Sequence, residues 1–584
     1  MGLRYKIKGE LDMENMYGSL QEQQAFLSAP QNKETAKTKP VYVERPILNN
    51  PKVLQSEEQK KAEKEKMEKS AQWFKAVAPG SFLYAIVYAI CMYKNPEGIG
   101  VPFCVGATLY FFYYYAKKFY GTARKCDMFL MITTAILGII TCTTDSEPLI
   151  YMNKLGIFLL AGIYLLELYF DVTEWSFIAY VKADWYAFWG GVSMMVAPFV
   201  EGSAFLKMMK VKREKEPMDE KTKEKVLAII IGIVVAVPVV FVLVLLLASA
   251  DLFFREMSGN LIDSILYWEL PEVFNRDFFG FLGTILVAFL FGYGVITYIN
   301  TKDTIVKETA REGIKANPYI AISCSAMIAF VYLVFVGIQI FGLFMGALTL
   351  PEGYTYAEYA RQGFFQLAFV CFFNVCMVLI CMACFEDNAV LKWIMAVISA
   401  CTYVMLVSAA YRMILYISVY HLTFLRVFVL WAIAVMAIVM LGITVFIFKK
   451  EFPIFRYMLI SITVLYIGFA VVHPDYWIAK YNIEQDKTED GIDEWQLVFN
   501  LSLDAAVPVL EYYEDKMEEP EIYYNAYHEE YRLTAAMDRL MSYCERIERA
   551  EKEMDIRKFN FSKAVAVYKL KQYGMPEYNR NLEN

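Results

Sequence analysis

The chain has 584 residues, of which 58% are hydrophobic and 20% are charged, and its net charge is −7. Soluble domains are about 45–50% apolar and 25% charged, so this composition argues against a string of soluble domains. The basic residues form no extended surface with interleaved aromatic residues, and a nucleic-acid partner is therefore not predicted.

Residues 1–78 are predicted to form a cytoplasmic polar tail. Residues 1–55 contain four prolines and no hydrophobic period, which is typical of a disordered segment. Residues 56–73 are rich in helix formers of mixed charge and predict a solvated helix beside the membrane; binding of their lysines to anionic lipid is the alternative. The start of the chain lacks the apolar core of about 7–15 residues that marks a signal peptide, so the first span is expected to drive insertion.

Residues 79–473 are predicted to form a transmembrane domain. A bilayer core about 30 Å thick requires roughly 20 mostly apolar helical residues. Runs of this kind recur and predict about eleven spans, at 80–94, 99–116, 126–143, 153–170, 226–249, 278–299, 319–346, 364–385, 391–411, 426–448 and 454–473.

The distribution of basic residues predicts the orientation of these spans. Lys and Arg collect in alternate loops, which the positive-inside rule places in the cytoplasm. The loops between them, such as 143–148 and 350–360, contain no Lys. This alternation places the N-terminus inside the cell and the C-terminus outside. The basic residues that carry it are Lys117, Lys118, Arg124, Lys125, Lys207, Lys210, Lys212, Arg213, Lys302, Lys307, Arg311, Lys315, Lys449, Lys450 and Arg456.

Residues 175–200 are apolar but are interrupted by Lys182, Asp184 and two adjacent glycines. Counting them as a span would invert every later loop, so we predict one interfacial helix on the cytoplasmic side. Residues 474–584 are strongly charged, and part of them has a helical apolar period, which predicts a small helical extracytoplasmic domain. The predicted fold is thus all-α: a polytopic helical membrane protein with this domain at its C-terminus.

Polar residues at the predicted outer ends of the spans form the candidate site, because on this topology they share one face. Glutamate, aspartate and arginine together could form a structural ion-pair network, which we favour, or could bind an anionic lipid headgroup or a small solute. Within the spans, Asn374 is interpreted as a hydrogen-bond partner between helices. The outer cluster consists of Asp251, Arg255, Tyr356, Glu358, Arg361, Arg412, His421, Arg426, His473, Asp475, Lys480 and Asn482.

No cofactor or metal is predicted. The spacing of His421 and His473 matches no metal motif. The chain contains no phosphate-binding loop, no nucleophile elbow and no dinucleotide-binding turn.

Five motifs resemble a bacterial multi-span membrane family, the domain-of-unknown-function family 4173. Two positions depart from the family pattern: Leu252 stands where proline is usual and His421 where glycine is common. The resemblance implies a multi-pass protein of the bacterial cell membrane and brings no activity. The motifs are LLASADLFF (246–254), TYAEYARQGFFQL (355–367), YRMILYISVYHLTFLR (411–426), HPDYWIAKYN (473–482) and FNFSKAVAVYKL (559–570).

The sequence identifies no biochemical activity, and three hypotheses stay open. The leading one is a non-enzymatic membrane protein with an outward-facing polar cavity, in envelope sensing or small-solute handling. A membrane enzyme acting on a lipid-linked substrate would use Glu358 or Asp251 as its base. A secondary transporter would have discontinuous helices near the bilayer midplane. In each case the lipid bilayer is a partner.

Overall fold

The structure is a computed structural model that describes residues 51–120, 128–172, 175, 177–212, 276–301, 315–341, 364–485, 494–518 and 528–573. The chain divides into two compact units, residues 1–65 and 66–584, and the contacts described below lie in the second unit. Regular structure in the described residues is helical, apart from one isolated bridge between Ala316 and Phe385. The all-α, polytopic fold predicted from the sequence is confirmed.

The described helices form two groups, one that precedes Pro474 and one that begins with it. The first group is α1 (Pro51–Met92), α2 (Gly100–Tyr120), α3 (Met128–Thr141), α4 (Glu147–Tyr169), α5 (Phe177–Ser193), α6 (Ala197–Lys212), α7 (Arg276–Thr301), α8 (Pro318–Gln339), α9 (Phe364–Cys384), α10 (Ala389–Tyr420), α11 (Phe424–Phe448) and α12 (Ile454–Val471). The second group is α13 (Pro474–Glu484), α14 (Ala506–Glu518), α15 (His528–Glu553) and α16 (Phe561–Tyr573). A π-helical turn (Gln496–Asn500) and a 3-10 turn (Leu503–Ala505) connect α13 to α14.

Eight of the described helices are long and apolar enough to cross a membrane: α1, α4, α7, α8, α9, α10, α11 and α12. The predicted span 99–116 is helical as α2 but is not among them. The predicted span 126–143 is reduced to α3, whose 14 residues extend only about 21 Å at 1.5 Å per residue. The predicted span 226–249 lies outside the described residues, so a total of about eleven stays a prediction.

Residues 175–200 differ from the single helix that the sequence predicts. They form α5 and the start of α6, which are bent by 50° relative to each other. Pro198 accounts for the break, because its ring has no N–H to donate and, in a continuous helix, would clash with the carbonyl of Met194 four residues earlier. Counting this bent pair as one broken span raises the number of candidate spans to nine.

Apolar side chains hold the two groups of helices in separate cores. The membrane helices share several buried clusters, one of which joins Leu137, Leu166 and Tyr298. A second core lies within residues 478–570 and joins α13, α14, α15 and α16, and Leu422, Phe424 and Val427 beside and in the start of α11 pack against it. Fully burying a large apolar side chain contributes roughly 1.5–3 kcal/mol. The C-terminal helices therefore share an apolar core, in addition to the polar contacts that attach them to the membrane helices.

Candidate functional site: a buried carboxylate junction

Loops that the sequence predicts to be extracytoplasmic meet on one face of the structure, and the C-terminal helices attach there. The backbone N–H of Ile99 donates to the carbonyl of Phe559 at 2.9 Å, and the N–H of Phe561 donates to the carbonyl of Cys142 at 2.8 Å. Thus the start of α16 and the residues just before it are bonded to the start of α2 and to the end of α3. We call this face the junction face.

Asn482 on α13 makes a further attachment to the loop between α10 and α11. Its side-chain carbonyl accepts from the N–H of Leu422, and its amide donates to the Leu422 carbonyl, each at 2.9 Å. Asn482 is 5% exposed. A buried amide satisfied in both directions fixes the relative position of the two segments.

Asp504 is the centre of the attachment, and its side chain is only 1% exposed. Its Oδ2 accepts from the hydroxyl of Thr144 at 2.5 Å and lies 3.1 Å from Nδ1 of His473. Its Oδ1 accepts from the N–H of Asp145 at 2.7 Å and from the hydroxyl of Ser562 at 2.6 Å. One carboxylate therefore ties together the α3–α4 loop, the end of α12 and the start of α16.

The bond from Asp145 to Asp504 is matched by a return bond. Oδ2 of Asp145 accepts from the N–H of Leu503 at 2.9 Å. The 3-10 turn (Leu503–Ala505) presents both groups, because it points the Leu503 N–H and the Asp504 side chain toward the same loop. The α3–α4 loop and this turn are thus locked to each other by two carboxylate–backbone bonds, of the charge-assisted kind.

Two cations neutralise the carboxylates around Asp504. Nζ of Lys563 pairs with Glu97 and lies 3.3 Å from Oδ1 of Asp145. Nη2 of Arg546 lies 3.7 Å from Oδ2 of Asp145, while its Nη1 donates to the carbonyl of Leu501 at 2.8 Å. The charges therefore come from the α1–α2 loop, the α3–α4 loop, α15 and α16.

Asp475 is the remaining carboxylate and is 3% exposed. Its Oδ2 accepts from the hydroxyl of Ser502 at 2.6 Å and from the Ser502 N–H at 3.2 Å. Its Oδ1 has no hydrogen-bond partner among the described residues. The buried hydroxyls of Ser146 and Tyr543 have no hydrogen-bond partner there either. We define the docking junction as Glu97, Thr144, Asp145, His473, Asp475, Ser502, Asp504, Arg546, Ser562 and Lys563.

Burial and hydrogen bonding move the pKa values of these carboxyls in opposite directions. Burial raises the pKa of Asp475, of Asp145 and of Glu97 above the ordinary value. Burial also opposes ionisation of Asp504, but donors from His473, Asp145, Ser562 and Thr144 outweigh it and hold the Asp504 pKa below the ordinary value. Asp504 is therefore the carboxylate that is built to stay charged.

Of the residues predicted from the sequence, His473, Asp475 and Asn482 lie in or beside this attachment. Lys480 lies on the same helix with Nζ 5.5 Å from the centre of the Trp477 ring, away from the carboxylates. Five predicted members lie outside the described residues, namely Asp251, Arg255, Tyr356, Glu358 and Arg361.

The other three predicted residues belong to the α10–α11 region. The Arg412 Nη2 lies 3.4 Å from Oε1 of Gln339 on α8, and this oxygen also accepts from the hydroxyl of Ser408 at 2.7 Å. Arg426 donates to the carbonyls of Tyr420 and His421. These partners are amide and carbonyl oxygens, and the predicted carboxylate partners Asp251 and Glu358 lie outside the described residues.

A cavity of about 320 Å³ lies beside Arg426, between the first residues of α9, the last turns of α10 and the first turns of α11. Its lining is mainly apolar and aromatic. It is distinct from the docking junction.

The sequence prediction missed Asp504, Asp145, Lys563 and Glu97. The sequence does contain an indication of Asp504, which is the single charged residue between Trp495 and Leu510. A lone carboxylate in such a run is expensive to bury unless donors surround it. Its partners are up to about 360 positions away in sequence and could not be deduced from spacing.

A family model described as a domain of unknown function (DUF4153) matches residues 131–512, more than half of the chain. The chain belongs to this family. The family number expected from the motifs, 4173, is not confirmed. No curated protein and no solved structure matches the chain.

The matched range of this DUF4153 protein divides the docking junction. It contains Asp145, His473, Asp475 and Asp504, whereas Glu97 and the α16 residues Ser562 and Lys563 lie outside it. The motif 559–570 is also outside. Among the described residues, no group of three or more His, Cys, Asp or Glu side chains is arranged to hold a metal ion.

Proposed function

We propose that this DUF4153 protein is a non-enzymatic sensor in the bacterial cell membrane, with a cytoplasmic N-terminus and residues 474–584 outside the cell. The docking junction is the responsive element, and protons in the extracytoplasmic space are the input. The observation that carries this proposal is the buried Asp504 carboxylate, which joins three chain segments through four hydrogen-bonding groups.

A buried ionic network is better suited to an attachment that responds to pH than to a permanent attachment. Replacing a buried ion pair by apolar residues is often neutral or stabilising, so such a network is weak evidence for stability alone. Its free energy, however, depends directly on the protonation of its members. The C-terminal helices have their own apolar core, so the attachment can weaken without unfolding them.

Whether docking strengthens or weakens as the pH falls follows from the directions of the pKa shifts. Asp475, Asp145 and Glu97 have raised pKa values when docked, so the docked state binds protons more tightly than the free state. Docking is therefore strengthened as the pH falls from neutral toward the ordinary carboxyl pKa of about 4. Asp504 has a lowered pKa, so its contribution is present above the ordinary value and is lost only at stronger acidity. Lys563 has a raised pKa and its contribution is lost only in alkali.

Hydrogen exchange on the protein in lipid nanodiscs tests this proposal. After correction for the intrinsic pH dependence of exchange, peptides that contain Ile99, Leu503 and Phe561 should gain protection as the pH falls from about 7.5 toward about 5. Peptides from α8 and α9 should not change. Asp475→Asn should remove part of the pH dependence. Asp387→Asn is the matched control, because Asp387 is an exposed carboxylate paired with Lys392.

Junction peptides whose protection is independent of pH would count against a proton sensor. Protection that falls as the pH drops toward 5 would reverse the sign and have the same consequence.

Secondary transport is a second candidate, favoured by the bent pair α5–α6. Tyr180 near the start of α5 stacks on Phe455 at 3.8 Å between ring centres, and Phe205 in α6 contacts Phe74 at 5.7 Å. Phe455 lies at the start of α12, and Phe74 lies in α1 on the side of the first predicted span that is predicted to be cytoplasmic. These contacts support a re-entrant hairpin that enters and leaves at the cytoplasmic face and carries Asp184 into the bundle.

Asp184 offers the test of this candidate. A Cβ atom on Gly162 would lie 2.1 Å from Oδ1 of Asp184, so this carboxylate lies directly against the backbone of α4. Proteoliposomes screened with small anions and cations under a pH gradient should show a flux that Asp184→Asn abolishes. Asp277→Asn is the control, since Asp277 is exposed and paired with Lys94. A flux that survives Asp184→Asn would exclude this role.

A further inference from the structure

The cavity beside Arg426 has the lining of a lipid site. Phe364, Phe365, Met413 and Val429 supply apolar and aromatic walls. Its volume of about 320 Å³ lies at the lower end of the range of roughly 300–1,000 Å³ for small-molecule sites. Phe365 and Leu425 are each 57% exposed, so the rim of the cavity is open on the outside of the helix bundle.

The position of this cavity along the helices places it at the edge of the hydrocarbon core. The described part of helix α9, Phe364–Cys384, extends about 31 Å over 21 residues, which is the thickness of the core. Helix α11 begins at Phe424, after a turn of three residues from the end of α10. On the predicted topology, Phe364 and Arg426 are both at the outer ends of their spans, where the acyl chains end and the phosphates begin.

Arg426 is held in place before any ligand binds. Its Nη1 donates to the carbonyls of Tyr420 and His421, which fixes one edge of the guanidinium to the end of α10. Its Cζ lies 4.4 Å from the centre of the Tyr416 ring, which fixes the plane of the group. Nε and Nη2 have no recorded hydrogen bond in the described part of the chain. A planar guanidinium with an edge available matches phosphate oxygens.

We propose that this cavity binds one anionic phospholipid, with its phosphate on Arg426 and its glycerol and first acyl carbons against Phe364, Phe365 and Val429. Charge complementarity selects the phosphate, and the depth of the cavity selects a lipid rather than a soluble anion. The site is separate from the docking junction, so the lipid-binding proposal can be tested independently of the proposed sensor.

The test counts the lipid retained by the protein. The protein is released from nanodiscs of phosphatidylglycerol and phosphatidylcholine, and bound lipids are counted by native mass spectrometry. The wild-type protein should retain one phosphatidylglycerol that is lost in Arg426→Gln, with affinity reduced about tenfold to a hundredfold by loss of the charge-assisted bonds. Arg426→Lys should keep only part of the binding, because it keeps the charge but loses the planar edge and the stacking on Tyr416.

A second variant separates the cavity from the charge. Val429→Phe fills the cavity and leaves Arg426 with its carbonyl contacts, so it decides the question even if Arg426→Gln impairs folding. It should also lose the lipid. Val445→Phe is its control: it adds the same volume to the same helix, about 24 Å away, and should retain the lipid.

Three outcomes would overturn the assignment. Retention of phosphatidylglycerol in both Arg426→Gln and Val429→Phe would exclude the site. Loss in only one of them would show that the charge and the cavity do not act together on one lipid. Displacement of the lipid by millimolar inorganic phosphate would assign the site to a soluble anion instead.

Discussion

At the residue scale, Asp475 and Asp504 are both buried carboxylates near the end of α12, yet their surroundings differ. Asp504 is surrounded by donors, including His473, and is held ionised. Asp475 receives donors on one oxygen only, and burial raises its pKa. The same substitution should therefore have opposite consequences at the two positions.

Asp504→Asn should be strongly destabilising, because the amide nitrogen would face a donor and one partner of a buried charged network would be lost. Removal of one partner from such a network costs about 3–5 kcal/mol. Thermal unfolding in detergent at neutral pH measures the loss. A stability within about 1 kcal/mol of wild type would show that Asp504 is not the centre of the attachment.

Asp475→Asn should be neutral or stabilising at neutral pH. The amide carbonyl can still accept from Ser502, and the amide nitrogen can donate toward the nearby Ser146 hydroxyl, which has no hydrogen-bond partner among the described residues. The cost of burying an ionised carboxylate disappears. The same unfolding experiment, repeated at about pH 5, should show this advantage shrinking as the wild-type carboxyl takes up its proton. A loss of several kcal/mol at neutral pH would contradict this assignment.

At the element scale, the close approach of α5 to α7 depends on glycines. A Cβ on Gly294 would lie 2.3 Å from the carbonyl oxygen of Gly191, and backbone atoms cannot yield as a side chain can. Gly283 on the same helix has nothing within 4 Å of the equivalent position. These two glycines thus form a matched pair for testing the packing of the bent pair α5–α6.

Gly294→Ala should destabilise the protein by about 1–3 kcal/mol, the usual cost of overpacking. Gly283→Ala should be neutral or stabilising by up to about 1 kcal/mol, because alanine is the better helix former. Thermal unfolding of the two purified variants provides the comparison. Equal effects would show that α5 does not approach α7 as closely as described here.

Local sequence patterns were sufficient to predict these helices but not all of the positions at which helices begin and end. Apolar runs predicted α7 to α12, because span length and hydropathy are properties of the local chain. Asn374 was predicted to bond between helices, and this is confirmed: it accepts from Tyr332 at 2.8 Å and donates to Thr402 at 2.9 Å. The break at Pro198 was missed, since the apolar period continues across it.

The whole molecule depends on contacts between distant parts of the chain, which periodicity does not encode. The sequence pointed to His473, Asp475 and Asn482 because polar motifs at span ends are conspicuous. It did not pair them with Asp504, Ser562 or Asp145, because that requires knowing how the C-terminal helices fold back onto the loops. At this scale the central claim is the proposal that helices α13 to α16 are docked on the extracytoplasmic ends of the spans.

The measurement that tests this claim most directly is labelling of intact cells with a membrane-impermeant thiol reagent, in a background with Cys142 replaced by serine. Ile556, which is 93% exposed, and Trp477, which is 50% exposed, are replaced by cysteine one at a time. Lys450→Cys reports the opposite face. We expect positions 556 and 477 to label in intact cells and position 450 to label only after permeabilisation. Labelling of position 450 in intact cells, with 556 and 477 protected, would place the docking junction in the cytoplasm and contradict the proposed sensor.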